Sequence, residues 1–213
     1  MDILEMKNVS YNYNNAKEKV LSSITQKFEQ GKFYAIIGKS GTGKSTLLSL
    51  LAGLDSPTSG EIVFDGEDIK KTGYSAHRKN NISLVFQNYN LIEYLTPIEN
   101  IRLVNKMATS EILKELGLDE QQIKRNVLKL SGGQQQRVAI GRALVSSAPI
   151  ILADEPTGNL DEQTAGEIID VLKGLALERN KCVIVVTHSM AVAKAADIVL
   201  ELKNRKLNQK NAN

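Results

Sequence analysis

The chain has one cysteine in 213 residues, so no disulfide can form within it and a disulfide-stapled scaffold is excluded. That cysteine, Cys182, stands in the run Cys-Val-Ile-Val-Val and reads as a small buried hydrophobe rather than a reactive thiol. No run comes near the roughly 18 apolar residues that a membrane-spanning helix needs. The first residues, Met1-Asp2-Ile3-Leu4-Glu5, are acidic where a secretory signal is basic. Together these predict a cytoplasmic chain that does not itself span a membrane. Charge is nearly balanced, with 27 Lys and Arg against 24 Asp and Glu, and a net +3 is too small to argue for nucleic acid. Internal repeats and low-complexity linkers are missing too. What remains, 42% hydrophobic and 24% charged, is the mix of a soluble globular protein. It excludes a disordered tail and a collagen-like fibre, and the length suits one domain, or one with a subdomain.

The first third reads as β-rich. Ile24-Thr25-Gln26-Lys27-Phe28 alternates, Glu29 to Lys32 turns, and Phe33-Tyr34-Ala35-Ile36-Ile37 runs apolar, the pattern of a hairpin. A second hairpin signal is Glu61 to Phe64 closed by Asp65-Gly66. Ile150 to Leu152 and Val183 to Val186 are short, unbroken and β-branched, as strands buried on both faces must be. Between them, Ile168, Ile169, Leu172 and Leu175 predict a helix over 162–180, and a crossover that long implies parallel pairing. About residues 96–145 read as helical. Thr96-Pro97-Ile98-Glu99 combines a capping box with proline at the first helical position, and Ile112, Leu113, Leu116 and Leu118 form an apolar stripe. The last eleven residues, from Lys203, hold four basic residues and no acid. They read as a frayed, solvated terminus rather than a membrane-surface contact. His77 has no motif around it and reads as a surface residue.

The strongest chemical signal is Gly38-Lys39-Ser40-Gly41-Thr42-Gly43-Lys44-Ser45-Thr46, between an apolar strand and the apolar helix Leu47 to Leu51. It fits G-x-x-x-x-G-K-[ST]. The glycines let the backbone curl so that several N–H groups point at one anion. The new helix presents free N–H groups and its positive dipole end. Lys44 supplies a point charge for the β- and γ-phosphates, and Ser45 offers a hydroxyl to Mg²⁺. The Asn-Lys-x-Asp string that reads guanine does not occur, which argues for adenine. Ile150-Ile151-Leu152-Ala153-Asp154-Glu155 is a strand ending in two acids, which a parallel sheet delivers beside the phosphate loop. Asp154 would hold the magnesium shell, and Glu155 would face the γ-phosphate as general base. A second anion site is Leu130-Ser131-Gly132-Gly133-Gln134-Gln135-Gln136-Arg137, where a serine and two glycines open a helix from Val138 to Leu144.

Leu-Ser-Gly-Gly-Gln at 130–134 resembles the signature of ATP-binding-cassette ATPases, and further motifs of that family stand in order. Gln87 matches the glutamine that touches Mg²⁺ and faces the membrane partner. Asn159-Leu160-Asp161 matches the D-loop, with Asp161 either there, at the N-cap of the next helix, or both. His188, after Val185-Val186-Thr187, matches the switch histidine at the γ-phosphate. Tyr13, 25 residues ahead of Gly38, matches the aromatic that stacks on adenine, with Tyr11 as its competitor. The resemblance covers essentially the whole chain. It implies an α/β P-loop NTPase: a RecA-like core with an N-terminal antiparallel β subdomain over 1–87 and 146–213, and an inserted helical subdomain over 88–145. Implied with it are ATP and Mg²⁺ as cofactors, a homodimer in the ATP-bound state, and a separate transmembrane permease holding the chain at the inner face of the membrane. In that dimer the phosphate loop of each copy faces Ser131, Gly132, Gly133, Gln134 and Asp161 of the other.

Ala153-Asp154-Glu155-Pro156-Thr157-Gly158-Asn159-Leu160-Asp161 and Leu-Ser-Gly-Gly-Gln-Gln-Gln-Arg look like one branch of the family. Its members serve macrolide and antimicrobial-peptide efflux, bacteriocin export, lipoprotein release and a division-linked signalling complex. The compact length and the short insert between Gln87 and Leu130 look most like the peptide and bacteriocin exporters. Members of the superfamily that act on DNA separate their halves with a long coiled coil, for which 213 residues leave no room.

Overall fold

The protein is described as a computed structural model covering residues 1–13 and 18–210. Strand β1 (Asp2–Tyr11) is followed by β2 (Leu21–Glu29), β3 (Phe33–Ile37), helix α1 (Lys44–Leu51), β4 (Ser59–Phe64) and β5 (Glu67–Asp68). Then come α2 (Ile69–Thr72), α3 (Tyr74–Asn80) and β6 (Ile82–Phe86). The middle holds α4 (Pro97–Arg102), α5 (Glu111–Glu115), α6 (Glu120–Lys124), a 3-10 turn at Val127–Lys129, and α7 (Gly132–Leu144). The chain closes with β7 (Ile150–Asp154), α8 (Glu162–Leu177), β8 (Cys182–Thr187), α9 (Met190–Ala195), β9 (Ile198–Lys203) and β10 (Lys206–Lys210).

Two sheets organise these elements. One has four antiparallel strands in the order β2-β1-β4-β5; the other has six in the order β10-β9-β3-β8-β7-β6. All pairs of the second are parallel except β10 with β9. Its central strands alternate between two cores. Phe33, Ala35, Ile151, Ala153, Val183 and Val185 face the core made with α7, α8 and α9. Tyr34, Ile36, Ile150, Leu152, Cys182, Ile184 and Val186 face the core made with α1 and the antiparallel sheet. A sheet buried on both faces needs apolar residues at both parities, which is why β7 and β8 are legible as unbroken runs. Cys182 is fully buried, and burial raises its thiol pKa to about 12, so it stays protonated packing.

Four expectations are corrected. Ile24–Phe28 and Phe33–Ile37 do not form a hairpin, because β2 pairs with β1 while β3 pairs with β8 and β9 in the other sheet. The basic C-terminal stretch is not frayed through Lys210: Asn204 and Arg205 are both left-handed and turn the chain, so that β10 pairs with β9. Helix α8 stops at Leu177, and left-handed Asn180 starts the return to β8. His77 is buried at 1% exposure rather than on the surface, with its Nε2 at 3.0 Å from the Leu51 carbonyl and its ring edge-on to Phe64. The Asp65-Gly66 hairpin and the Thr96/Glu99 capping box form as read.

Candidate functional site

Register alone lines up the site. In the parallel sheet Ile37 pairs with Thr187, Val186 with Asp154, and Asp154 with Phe86. The residues that follow, Gly38, His188, Glu155 and Gln87, therefore leave the sheet at one edge, its carboxyl end, where open parallel sheets bind ligands.

The loop after β3 wraps back on itself before α1. Thr42 donates to the Lys39 carbonyl from its amide at 3.3 Å and from its hydroxyl at 2.9 Å. Gly43 caps α1 in the left-handed region (φ 100), with no side-chain cap. A Cβ there would lie 2.7 Å from Val20 Cγ1, so both conformation and space demand glycine. Lys44 reaches over the loop, its ammonium donating to the carbonyls of Gly38 at 2.9 Å and Lys39 at 3.3 Å. The first turn of α1 thus carries a positive side chain at the positive end of a helix, with no acid in that turn.

The two acids of β7 sit in different surroundings. Asp154 is half-buried and takes a hydrogen bond from Ser45; burial raises its pKa, the charge of Glu155 adds to that, and the Ser45 bond and Lys44 oppose it. Glu155 is left-handed (φ 45), a sterically unfavourable place for this side chain. Its amide donates to the Val186 carbonyl at 2.9 Å, and its carboxylate accepts from the Thr187 hydroxyl at 2.9 Å and the His188 amide at 3.3 Å. His188 Nδ1 stands 3.0 Å from the other oxygen. Gln87 and Asn159 exchange amide bonds: Gln87 Nε2 donates to Asn159 Oδ1 at 3.0 Å, and Asn159 Nδ2 to the Gln87 carbonyl at 3.3 Å.

Tyr13 and Tyr11 separate clearly. Tyr11 is buried and donates to Asp55, and that bond, with burial, pushes its pKa up to about 12. Tyr13 is 49% exposed, meets Tyr11 edge-on, and shares a hydrogen bond with the Thr46 hydroxyl at 2.6 Å. A cleft of about 910 Å³ joins Tyr13, Val20, Ser40, Gly41, Gly43, Lys44, Ser45, Thr46, Phe86, Gln87, Asn88, Asp154, Glu155 and His188. Gly38, Lys39 and Thr42 belong to the same loop but do not line it.

The second helix start lies outside that cleft. Ser131 caps α7 by a full capping box: its hydroxyl accepts from the Gln134 amide at 3.3 Å, and Gln134 Oε1 accepts from the Ser131 amide at 3.0 Å. A Cβ on Gly133 would stand 2.3 Å from Thr164 Cγ2, so α7 and α8 approach too closely there for any side chain. Asp161 caps α8, accepting from the Thr164 amide at 3.0 Å and its hydroxyl at 2.7 Å, and those bonds lower its pKa. Ser131, Gly132, Gly133, Gln134 and Asp161 are thus not brought together with Lys44 within one chain.

Sequence reasoning missed the groups that hold the acids and amides in place. Thr187 stood next to His188 without a signal of its own, and Asn159 was read as part of the D-loop match but not as the partner of Gln87, since both act through contacts across the sheet edge. Val20 was missed because its contact with Gly43 is tertiary.

The ABC transporter family profile matches residues 21–158. YclH of Bacillus subtilis, described as an uncharacterized ABC transporter ATP-binding protein, is 43% identical over 95% of this chain and 94% of its own. LolD of Wigglesworthia glossinidia brevipalpis, the ATP-binding protein of a lipoprotein-releasing system, is 37% identical over 99% of this chain and 98% of its own. Among solved structures, the dimeric ABC transporter cassette MJ0796, of Methanocaldococcus jannaschii, superposes with a TM-score of 0.85 at 37% identity, covering 99% of this chain and all of that one. A second dimeric structure of that cassette, with ADP and Pi bound in a post-hydrolysis state, gives the same TM-score at 36% identity.

Proposed function

The chain belongs to the ABC transporter family, and from that premise we propose that the cleft binds ATP with Mg²⁺ and hydrolyses it to ADP and phosphate. The reading rests on one observation: Tyr13, the 40–46 loop, Gln87, Asp154, Glu155 and His188 converge on a single cleft from separate parts of the chain. Tyr13, exposed and tethered to Thr46, stacks on adenine in place of buried Tyr11. The loop amides and Lys44 hold the β- and γ-phosphates. Ser45 and Asp154 are hydrogen-bonded hard oxygen donors beside that loop, the donor set magnesium takes, and Gln87 completes it. The metal, when bound, neutralises phosphate charge.

Glu155 accepts the proton of the attacking water as the bond from the γ-phosphorus to ADP breaks. Thr187 and the His188 amide fix the carboxylate, and His188 faces the γ-phosphate. Glu155→Gln keeps the shape and removes the base. ATP binding is expected to persist while phosphate release falls about 10²–10⁴-fold, and the ATP-bound variant is expected to run as a dimer on size exclusion. A monomer with wild-type turnover would refute the reading.

The MJ0796 structures are dimers, which supports a paired assembly; in the pair proposed here each 40–46 loop faces the other copy's Ser131–Gln134 and Asp161. The helical segment over 88–145 carries Ser131–Gln134, and Asp161 follows it at the start of α8. No helix among the described residues is long and apolar enough to cross a membrane. Tyr94, Leu103, Val104 and Met107, however, are exposed apolar residues concentrated after Gln87. Exposed apolar side chains this close in sequence suit docking by a transmembrane permease, with the chain peripheral on the cytoplasmic face. The cargo proposed is a peptide or similar amphipathic molecule for export, on the short insert and the signature wording. Lipoprotein release is the second reading, favoured by the full-length likeness to LolD. The membrane protein that copurifies with the chain decides between them.

A further inference from the structure

One contact beside Gln87 is used by none of the chemistry above. After β6 the chain turns tightly, the Tyr89 amide donating to the Phe86 carbonyl at 3.1 Å, which puts Gln87 at the first central position of that turn. The next residues, Tyr89 (φ 55) and Asn90 (φ 51), are both left-handed. An aromatic residue keeps that conformation only when its surroundings hold it. Arg142, in the last turn of α7, does so: its two terminal nitrogens donate to the Asn90 carbonyl at 2.5 Å and the Tyr89 carbonyl at 3.2 Å. The other end of α7 meets the same residue, for a Cβ on Gly132 would lie 2.7 Å from the Tyr89 hydroxyl. One helix therefore grips, at both ends, the residue two positions beyond Gln87.

We infer that Arg142 is a positioning residue for the reaction, making the Tyr89–Asn90 kink travel with α7 so that the setting of Gln87 follows the Ser131 helix start. This rests on the ATPase reading above. The planar guanidinium suits the task because it reaches two carbonyls in one fixed fork, whereas an ammonium is a single flexible point charge. The competing explanation is a plain anchor, whose loss loosens the fold without acting through Gln87.

A double-mutant cycle separates the two. In the full chain, Arg142→Met is expected to lower kcat about tenfold or more, as displaced catalytic groups do. KM for ATP should stay within about twofold of wild type, because Tyr13 and Lys44 are untouched. Combined with Gln87→Ala, the losses are expected not to multiply: the double variant turns over no more slowly than Gln87→Ala alone. Arg142→Lys is expected to recover part of the rate, and if Arg142→Met does not fold, the lysine variant carries the same cycle with Gln87→Ala. Losses that multiply, or a rate that falls only in step with melting temperature, would overturn the role of Arg142. A wild-type chain without turnover would overturn the ATPase reading as well.

Discussion

Two helices begin at glycine-rich turns, and they begin differently. Helix α1 is capped by left-handed Gly43, which has no side chain to offer, and the cation of Lys44 folds back over the loop. Helix α7 is capped by its own residues, Ser131 and Gln134 satisfying each other's amides. A helix start that leaves its N–H groups to a ligand is a binding site within one chain. A helix start that caps itself is stable without a ligand, and its serine hydroxyl and dipole remain available to a phosphate brought from outside. The contrast fits a division of labour in which one element holds nucleotide from the start and the other meets it across an interface.

The largest effect is expected from a negative charge placed on the self-capped end. Gly133→Asp is unsuitable, since any side chain there collides with Thr164. Ser131→Asp keeps an excellent N-cap on an exposed position while setting a carboxylate against incoming phosphate. The expected outcome, in a Glu155→Gln background, is complete loss of ATP-driven dimerisation with melting temperature nearly unchanged. Mixed with Lys44→Ala chains, it should regain closure, because one of the two sites then pairs intact elements. Verified mixed dimers that do not close would mean that each site is built within one chain.

A smaller effect belongs to the α1 end. Lys44→Ala removes a charge-assisted bond worth about 1.5–3 kcal/mol, so nucleotide titration should show a roughly ten- to hundredfold loss of affinity. Unchanged affinity would remove the distinction between the two helix starts. Smallest is a pH effect on the C-terminal side of α1, where His77 meets the Leu51 carbonyl. Burial lowers the pKa of His77 below its ordinary value, against the raising effect of that carbonyl. Its stabilisation is therefore present above about pH 6.5 and is lost as pH falls toward the folded-state value, by at most about 1.4 kcal/mol per pH unit. Thermal melts should fall less steeply with acid in His77→Gln than in wild type; parallel curves would place the acid sensitivity elsewhere.

What was legible in the residues follows the same physics. Strands β7 and β8 are readable because both faces are buried, and the strand–loop–helix passage over 33–51 because its glycine pattern is local. Strand β1 was not. Its apolar residues alternate with Glu5, Lys7 and Asn8, and register shifts between Met6 and Val9 interrupt the period. Strand β10 reads as a solvated tail, being polar at four of its five residues, and it exists through backbone pairing with β9. The choice between Tyr11 and Tyr13 could not be made from Tyr-Asn-Tyr. What distinguishes their settings is Asp55, 44 positions from Tyr11, which takes Tyr11 into the interior while Tyr13 stays exposed. The separation of the Ser131 helix start from the cleft is likewise tertiary.

The pairing of β3 also sets a timetable for synthesis. β3, which leads into the 38–46 loop, pairs among the described strands with β8 and β9, Phe33 lying opposite Val183 and its amide donating to Asp197 at 2.9 Å. A nascent chain therefore completes its second hairpin, β4 with β5, and then makes α4 to α7, before the loop's own strand has a neighbour. Contacts of such long sequence separation form slowly and late. The cleft at the carboxyl edge of the sheet is accordingly among the last parts of the molecule to close, and the apolar strand Phe33–Ile37 waits through most of translation for its partners.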